Sequence, residues 1–323
     1  MSDKPSNTLV RAVTAFALLP LVIWLIWTGG VWFALLISVA ASLAAVELNL
    51  LPGAAPPATP ASSVPEEGEG DELTRKSDAL APSRGARKRA KAAAAAAQEQ
   101  TVAQSQTLSG AAIASAGAAF LIPLLHHGPL AFLSVELVLV GVVIAAFCDA
   151  LFFEHELEKV PRRVGLAVLG AVYAGLLLSA LVRLRQLEAG FWWVILALVV
   201  TWANDTGAYF AGRAFGSRKL FVRVSPSKTW EGAIGGAAAS IAGALVVAFV
   251  WLQALPLWAA ALIGLGASVL GPLGDLSESM LKRAYGAKDS GRTLPGHGGM
   301  LDRIDALLFN APFVLLCARL LLK

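Results

Sequence analysis

Residues 257–272 read LWAAALIGLGASVLGP and residues 304–322 read IDALLFNAPFVLLCARLLL, and both runs are almost wholly apolar. The stretch that joins them, residues 279–305, reads SMLKRAYGAKDSGRTLPGHGGMLDRID and is rich in charged residues and glycine. An apolar run of roughly 20 residues can cross the hydrocarbon core of a bilayer as a helix. So dense a polar stretch has no role inside a bilayer, and it therefore predicts a functional site next to two membrane helices.

Apolar runs of similar length recur along most of the chain, which is 57% hydrophobic and 15% charged. Soluble globular domains are about 45–50% apolar. Backbone amides in lipid must be bonded internally, and these runs are too long for the alternating strands of a barrel. The sequence therefore predicts an all-α, polytopic integral membrane protein with about nine transmembrane helices. The predicted spans are residues 11–28, 31–50, 109–126, 130–152, 164–182, 191–213, 230–252, 257–272 and 304–322.

Two of these spans have special features. The first lacks a small-residue cleavage site, which predicts a retained helix and not a removed signal peptide. The eighth is expected to break or re-enter near its end, because Gly264, Gly266, Gly271, Pro272 and Gly274 crowd that part of the sequence.

The lysines and arginines predict the orientation, because loops on the inner side of a membrane are enriched in them. With the N-terminus inside, all but four of the 26 lysines and arginines fall on the inner side. The four on the outer side are Arg183, Arg185, Arg319 and Lys323. The polar stretch is therefore expected to lie on the cytoplasmic side of the cell membrane.

The composition divides the chain into four segments. Residues 1–50 carry the N-terminal transmembrane helices, residues 109–190 the central ones, and residues 191–323 a catalytic transmembrane region. Residues 51–108 are rich in Pro, Ala, Ser and Gly, with an acidic cluster followed by a basic one. Such a segment cannot bury enough apolar surface to order itself, so we expect a disordered cytoplasmic linker.

Acidic residues inside apolar spans are costly and mark either a site or an internal ion pair. Asp205 lies within the sixth span and is predicted to contribute to substrate binding, with a structural ion pair as the alternative. Glu47, Glu136 and Asp149 lie nearer the ends of spans. For these three the expected arrangement is a side chain that reaches the membrane interface.

The motif SPSKTWEG at residues 225–232 leads into the seventh span. Ser225 before Pro226 matches an N-cap followed by proline in the first helical position, with an acidic residue in the opening turns. A helix N-terminus suits a phosphate group, and a lysine there adds a full charge. An ordinary capped helix start is the alternative. The predicted substrate-binding residues are Ser225, Lys228, Thr229 and Glu231.

The joining stretch, extended upstream to Gly274, combines three kinds of group. Asp275, Asp302 and Asp305 offer hard oxygen ligands of the kind that bind Mg²⁺. Glycines allow the backbone to approach a ligand closely, and lysines and arginines pair with phosphate oxygens. Phosphoryl and nucleotidyl transfer need this combination, because they depend on positioning and charge neutralisation. The predicted cationic residues are Lys282, Arg283, Lys288, Arg292 and Arg303.

His297 could act as a general base, a hydrogen-bond donor to phosphate, or a structural residue. A phosphate monoester is already nucleophilic at neutral pH, so a donor role is preferred over a base. Asp289 and Asp305 are expected to orient the cations and not to bind metal directly.

The sequence resembles the CDP-diacylglycerol synthases, or phosphatidate cytidylyltransferases, from about Trp192 to the C-terminus. The elements of their signature are matched by Ser279, Lys282-Arg283, Lys288-Asp289, His297-Gly298-Gly299 and Asp302-Arg303-Ile304-Asp305. The runs that begin at Asp205 and Ser225 are also similar to segments of that family. Residues 51–108 depart from its compact pattern.

The resemblance implies an integral membrane enzyme, expected to be a homodimer, that joins CTP and phosphatidic acid into CDP-diacylglycerol and pyrophosphate. It implies Mg²⁺ as cofactor, with K⁺ as a further candidate, and metal binding by Asp275 and Asp302. The predicted catalytic residues are Asp275, Lys282, Arg283, Lys288, Asp289, His297, Asp302, Arg303 and Asp305. Ser279, Gly298 and Gly299 are added to the substrate-binding residues.

Three other functions remain open at this stage. A membrane kinase that uses CTP would transfer the γ-phosphate to an alcohol and release CDP. A transporter would place polar groups near the bilayer midplane, in broken helices. A non-catalytic lipid-binding scaffold would lack a residue type that the chemistry needs. The net charge of +4 needs no nucleic acid as a partner, because basic loops beside an anionic leaflet explain it.

Overall fold

The structure, a computed structural model, describes residues 19–51, 108–127, 133–291, 293 and 298–322. The helices in these ranges are α1 (Leu19–Thr28), α2 (Gly30–Asn49), α3 (Gly110–Leu125), α4 (Val135–Phe153), α5 (Leu157–Arg185), α6 (Gly190–Phe215), α7 (Trp230–Val250), α8 (Leu257–Ala284) and α9 (Leu301–Leu321). Helix α5 begins with a 3₁₀ turn at Leu157–Lys159 and contains a π-helical segment at Gly170–Leu176. Strands β1 (Lys219–Phe221) and β2 (Ser225–Thr229) pair antiparallel between α6 and α7.

Seven helices among the described residues, α2 and α4 to α9, are long and apolar enough to cross a membrane. Helices α1 and α3 are apolar but shorter. The prediction of an all-α, polytopic membrane protein is therefore confirmed, whereas the count of nine spans stays a prediction. The retained first span falls partly, and the linker at 52–107 wholly, outside the described residues.

The outer surface of the bundle carries large apolar side chains. Leu151 is 77% exposed, Phe153 is 71% exposed and Phe249 is 72% exposed. Exposed apolar patches of this kind mark a surface that meets lipid or another protein. These helices therefore present a lipid-compatible face and support an integral membrane protein.

Small residues let the helices of the C-terminal half approach one another closely. Helix α7 packs along α6, and α8 packs against both α7 and α9. At the α7–α8 contact, the hydroxyl of Ser240 donates to the carbonyl oxygen of Gly264 at 2.9 Å. In lipid, association of helices depends on such packing and on hydrogen bonds between helices. The contact therefore fixes α8 against its neighbour.

The predicted break in the eighth span is wrong. Helix α8 continues through Pro272 to Ala284 and so carries the polar residues 275–282 on one regular helix. Its glycines mark close contacts with neighbouring helices. A methyl group at position 274 would lie 2.5 Å from the carbonyl oxygen of Asp305 in α9. The glycine cluster that suggested a helix end therefore serves helix packing.

The interface role expected for Glu47 and Asp149 is also wrong, because these side chains are 5% and 7% exposed. Asp149 accepts a hydrogen bond from the amide of Gly110 at 2.9 Å, and its other oxygen lies 2.8 Å from Nε of Arg163. It therefore caps the start of α3 from a neighbouring helix. Glu136 is exposed in the first turn of α4, as predicted.

The variant Gly264→Ala should destabilise the α7–α8 contact. Its methyl group would lie 2.7 Å from Cα of Ile241, and overpacking of this kind costs about 1–3 kcal/mol. Gly141→Ala in α4 is the matched control, because no atom lies within 4 Å of its new methyl group. Thermal unfolding in detergent should show a lower midpoint for Gly264→Ala alone. Equal midpoints for the two variants would contradict this packing.

Candidate active site

One face of α8 presents the polar groups at the centre of the site. Asp275, Glu278, Ser279 and Lys282 are spaced by three or four residues, which places them on the same side of a helix. The hydroxyl of Ser279 donates to Oδ1 of Asp275 at 3.3 Å. Because α8 stays helical beyond Pro272, its last turns align these side chains in a row.

Lys282 bridges two carboxylates. Its Nζ lies 2.5 Å from Oε2 of Glu278 on α8 and 2.6 Å from Oδ1 of Asp302 on α9. Glu278 is 1% exposed, and its other oxygen, Oε1, is buried without a hydrogen-bond partner among the described residues. A buried charge is stable only when it is paired and hydrogen-bonded. Lys282 therefore compensates both acidic groups and ties α8 to α9.

Backbone amides from the loop between these helices complete the shell of Asp302. The amides of Gly299 and Ser290 donate to its Oδ2 at 3.0 and 3.2 Å. Gly298 has a φ of +85°, a left-handed conformation that glycine adopts at low cost. A methyl group at position 299 would lie 2.0 Å from Oγ of Ser290. Both glycines are therefore required by the backbone path around Asp302.

A polar cavity of about 350 Å³ lies between α8, the loop and α9. Its lining combines five carboxylates with two cationic side chains and a glycine. The lining residues are Asp275, Glu278, Lys282, Asp289, Gly298, Asp302, Arg303 and Asp305. The structure thus brings together six of the predicted catalytic residues, Asp275, Lys282, Asp289, Asp302, Arg303 and Asp305.

The N-cap predicted at Ser225 is wrong. Residues Ser225–Thr229 form β2, in which Ser225 pairs with Phe221 and Thr229 with Lys219. Helix α7 begins at Trp230, and the side chain of Thr229 caps it by accepting from the amide of Gly232 at 3.2 Å. This segment forms a strand and not a helix start because β1 is available to it as an antiparallel partner.

Glu231 and Lys228 hold this hairpin in place. The carboxylate of Glu231 accepts from the hydroxyl of Ser217 at 2.8 Å and from its amide at 3.1 Å, just before β1. Nζ of Lys228 lies 2.7 Å from Oδ2 of Asp275 on α8. Lys228 thus reaches the polar face of α8, while Glu231 contacts the base of the hairpin and supports the site from outside.

A second cavity of about 480 Å³ lies between α6, the hairpin, the start of α7 and α8. Asp205, Lys228, Thr229 and Asp275 are among its lining residues. Asn204 also lines it, and its Oδ1 is buried without a hydrogen-bond partner in the part of the chain described. Asp275 lines both cavities, so the larger and the polar cavity meet at this carboxylate.

Some predicted residues lie elsewhere. Arg283 donates to the carbonyl oxygen of Ala287 at 2.8 Å at the end of α8, and exposed Lys288 lines neither cavity. Ser225 also lies outside both linings, with its hydroxyl 3.5 Å from that of Ser227. His297 and Arg292 fall outside the described residues.

Two carboxylates of the site were missed by the sequence reasoning. Glu278 could have been found, because it lies three residues after Asp275 and four before Lys282, on the same helical face. Glu47 on α2 has no such local signal. Its oxygens accept hydrogen bonds from Met300 and Leu301, more than 250 residues later in the chain.

A family model with the description "Cytidylyltransferase family" matches residues 92–321, which is more than half of the chain. The chain belongs to this family. The matched range contains both cavities and the polar stretch that joins α8 to α9.

Members of the cytidylyltransferase family with curated names share part of this sequence. A phosphatidate cytidylyltransferase of Brucella suis is 50% identical over 149 residues, 46% of this chain and 54% of that protein. A phosphatidate cytidylyltransferase of Bacillus subtilis is 45% identical over 152 residues, 47% and 56% of the two chains. One from Haemophilus influenzae is 43% identical over 132 residues, 38% and 44% of the two. The match thus spans about half the length of these relatives.

The acidic lining of this cytidylyltransferase family member has the donor chemistry for a hard divalent cation. Carboxylate oxygens are the preferred protein ligands of Mg²⁺, and the buried Oε1 of Glu278 has no hydrogen-bond partner within the described ranges. The ammonium groups of Lys228 and Lys282 contact Asp275 and Asp302 instead. Among the described residues, no three acidic, His or Cys side chains are already arranged as metal ligands. The carboxylates are therefore suitable ligands for Mg²⁺. To bind it, Asp275 and Asp302 would have to separate from Lys228 and Lys282.

Proposed function

We propose that this chain is a phosphatidate cytidylyltransferase, which joins CTP and phosphatidic acid into CDP-diacylglycerol and pyrophosphate. Membership of the cytidylyltransferase family and the names of its relatives support the reaction class. The observation that carries the proposal is the junction of the two cavities at Asp275. A two-substrate transfer needs adjoining spaces, and here they share a carboxylate that pairs with Lys228.

The reaction is a displacement at phosphorus. A phosphate oxygen of phosphatidic acid attacks the α-phosphorus of CTP, a new P–O bond forms, and the bond to the bridging oxygen of pyrophosphate breaks. The phosphate is already ionised at neutral pH, so the attack needs no strong base. The protein supplies position and charge neutralisation, as in other phosphoryl transfers.

The cationic residues of the polar cavity would bind the phosphate groups. Lys282 and Arg303 line this cavity, and Lys228 reaches it through its contact with Asp275. The loop around Gly298 and Gly299 brings the backbone close to Asp302. Together these groups would hold the triphosphate and the lipid phosphate near each other.

Mg²⁺ would be held by Asp275 and Asp302, as the family resemblance implies. When bound, the ion would supply positive charge to the phosphates during transfer. Lys228 and Lys282 would then turn from these carboxylates toward the substrate. A role for K⁺ and a homodimer stay predictions from the family resemblance.

We place the protein in the cell membrane, with the site on the cytoplasmic side. The long apolar helices support a membrane location, and the bias of lysine and arginine supports the direction. The polar groups gather in the last turns of α8, where Lys228 of the hairpin reaches Asp275, and in the first turn of α9, whereas a transporter would use the helix centres.

A product assay tests the proposal. Purified protein in detergent would receive phosphatidic acid, Mg²⁺ and CTP labelled separately at the α and γ positions. We expect the α label in the lipid and the γ label in pyrophosphate. Transfer of the γ label to an alcohol acceptor would establish the kinase alternative, and no transfer by folded protein would overturn both.

A further inference from the structure

A buried carboxylate on α2 contacts the candidate site from the other half of the chain. Glu47 lies in the last turn of α2 and is 5% exposed. It precedes residues 92–321, the range that the family model matches. Neither the family match nor the predicted signature therefore assigns it a role.

Both oxygens of Glu47 bind the segment that leads into α9. Oε1 accepts from the amide of Met300 at 2.8 Å and from the hydroxyl of Thr293. Oε2 accepts from the amide of Leu301 at 2.8 Å and from the hydroxyl of Ser290 at 3.0 Å. All four partners are donors, so a carboxylate, which only accepts, fits this site in full.

These contacts cap α9 from another helix. The first amides of a helix have no partner within it, and the N-cap Met300 provides no side-chain hydrogen bond. Glu47 supplies the missing acceptor, and its negative charge suits the positive end of the helix dipole. The next residue after Leu301 is Asp302, so this cap fixes the turn that presents the predicted metal ligand.

The loop is shaped to fit the Glu47 side chain. A methyl group at position 291 would lie 2.9 Å from Cδ of Glu47, and one at position 299 would lie 2.6 Å from its Oε2. Side chains larger than hydrogen at either position would push the loop from the carboxylate. Ser290 links the contacts of Glu47 with those of Asp302, because its hydroxyl donates to Glu47 and its amide donates to Asp302.

We infer that Glu47 is a positioning residue for cytidylyl transfer. It holds Ser290, Thr293, Met300 and Leu301 against α2, so that Asp302 and Gly298 face the polar cavity. This inference rests on the proposed function for its effect on rate. The contact itself is a property of the fold and can be measured separately.

Glu47→Gln is the direct test. The carboxamide keeps the size of the side chain but turns one acceptor into a donor, which leaves two of the four partners without an acceptor. Displacement of a catalytic group by about 1 Å can lower a rate by about 100-fold. We expect a fall of about that size in kcat, with a much smaller change in the KM for CTP.

Asp149→Asn is the matched control. Asp149 is a buried carboxylate that caps α3 from another helix, as Glu47 caps α9, but its partners among the described residues are Gly110 and Arg163. Hydrogen exchange should accelerate at the amides of Met300 and Leu301 in Glu47→Gln alone. In Asp149→Asn it should accelerate at Gly110, with kcat near that of the wild type.

The outcomes separate the two proposals. Wild-type kcat in Glu47→Gln, or unchanged exchange at Met300 and Leu301, would overturn the positioning role. If the wild type transfers no cytidylyl group but the exchange result holds, the proposed function fails and the anchoring contact stands. If Glu47→Gln does not fold, Ser290→Ala and Thr293→Val each remove one donor and should lower kcat in the same direction; wild-type kcat in both would also overturn the role.

Discussion

Asp302→Asn should lower the rate of cytidylyl transfer by about 10²–10³-fold, the loss typical for removal of one preorganised electrostatic group. Asp302 accepts from Nζ of Lys282 and from the amides of Gly299 and Ser290. Asparagine keeps the shape but loses the charge that would hold the divalent cation. It also places an amide donor among groups that all donate.

The measurement is transfer of α-labelled CTP to lipid at several Mg²⁺ concentrations. Asp302→Asn should need more Mg²⁺ for half-maximal rate, in addition to its lower maximal rate. Glu136→Gln, which changes an exposed carboxylate at the start of α4, is the control and should behave as the wild type. Wild-type Mg²⁺ dependence in a folded Asp302→Asn protein would remove Asp302 from the metal site.

The class of fold follows from the sequence because a bilayer leaves few alternatives. Apolar runs of this length must be helices, so the positions of most helices could be predicted within a few residues. The position at which α8 ends could not be predicted from the sequence. Glycines and Pro272 suggest a break in the sequence alone, whereas contacts with Ser240 and with the backbone of Asp305 support a continuous helix in the fold.

The site was predicted where its residues are close in sequence. Asp275, Lys282 and Asp302 could be found because charges among apolar runs are conspicuous. Ser225 was misassigned because β1, its pairing partner, has no strong strand pattern of its own. Glu47 was missed because its partners lie more than 240 residues away, and no local pattern reports such a contact.

Lys282→Met should destabilise the protein as well as abolish phosphate binding at this position. It leaves Glu278, which is 1% exposed, and Asp302 without the ammonium group that both of them contact. Breaking a buried ion pair by removal of one partner costs about 3–5 kcal/mol. Thermal unfolding in detergent should therefore show a clearly lower midpoint. Lys159→Met, which breaks an exposed pair with Glu156, should leave the midpoint unchanged.

The double variant Glu278→Gln/Lys282→Met separates stability from catalysis. It removes the Glu278 carboxyl group together with its partner, so part of the lost stability should return, because a neutral amide is cheaper to bury than a carboxyl group without its cation, while Asp302 still lacks the ammonium group. Transfer of the α label should stay as low as in Lys282→Met, since the ammonium group that would bind phosphate is still missing. Recovery of activity with stability would mean that Lys282 only neutralises Glu278. A double variant no more stable than the single one would mean that the contact of Lys282 with Asp302, and not its contact with Glu278, carries the stability.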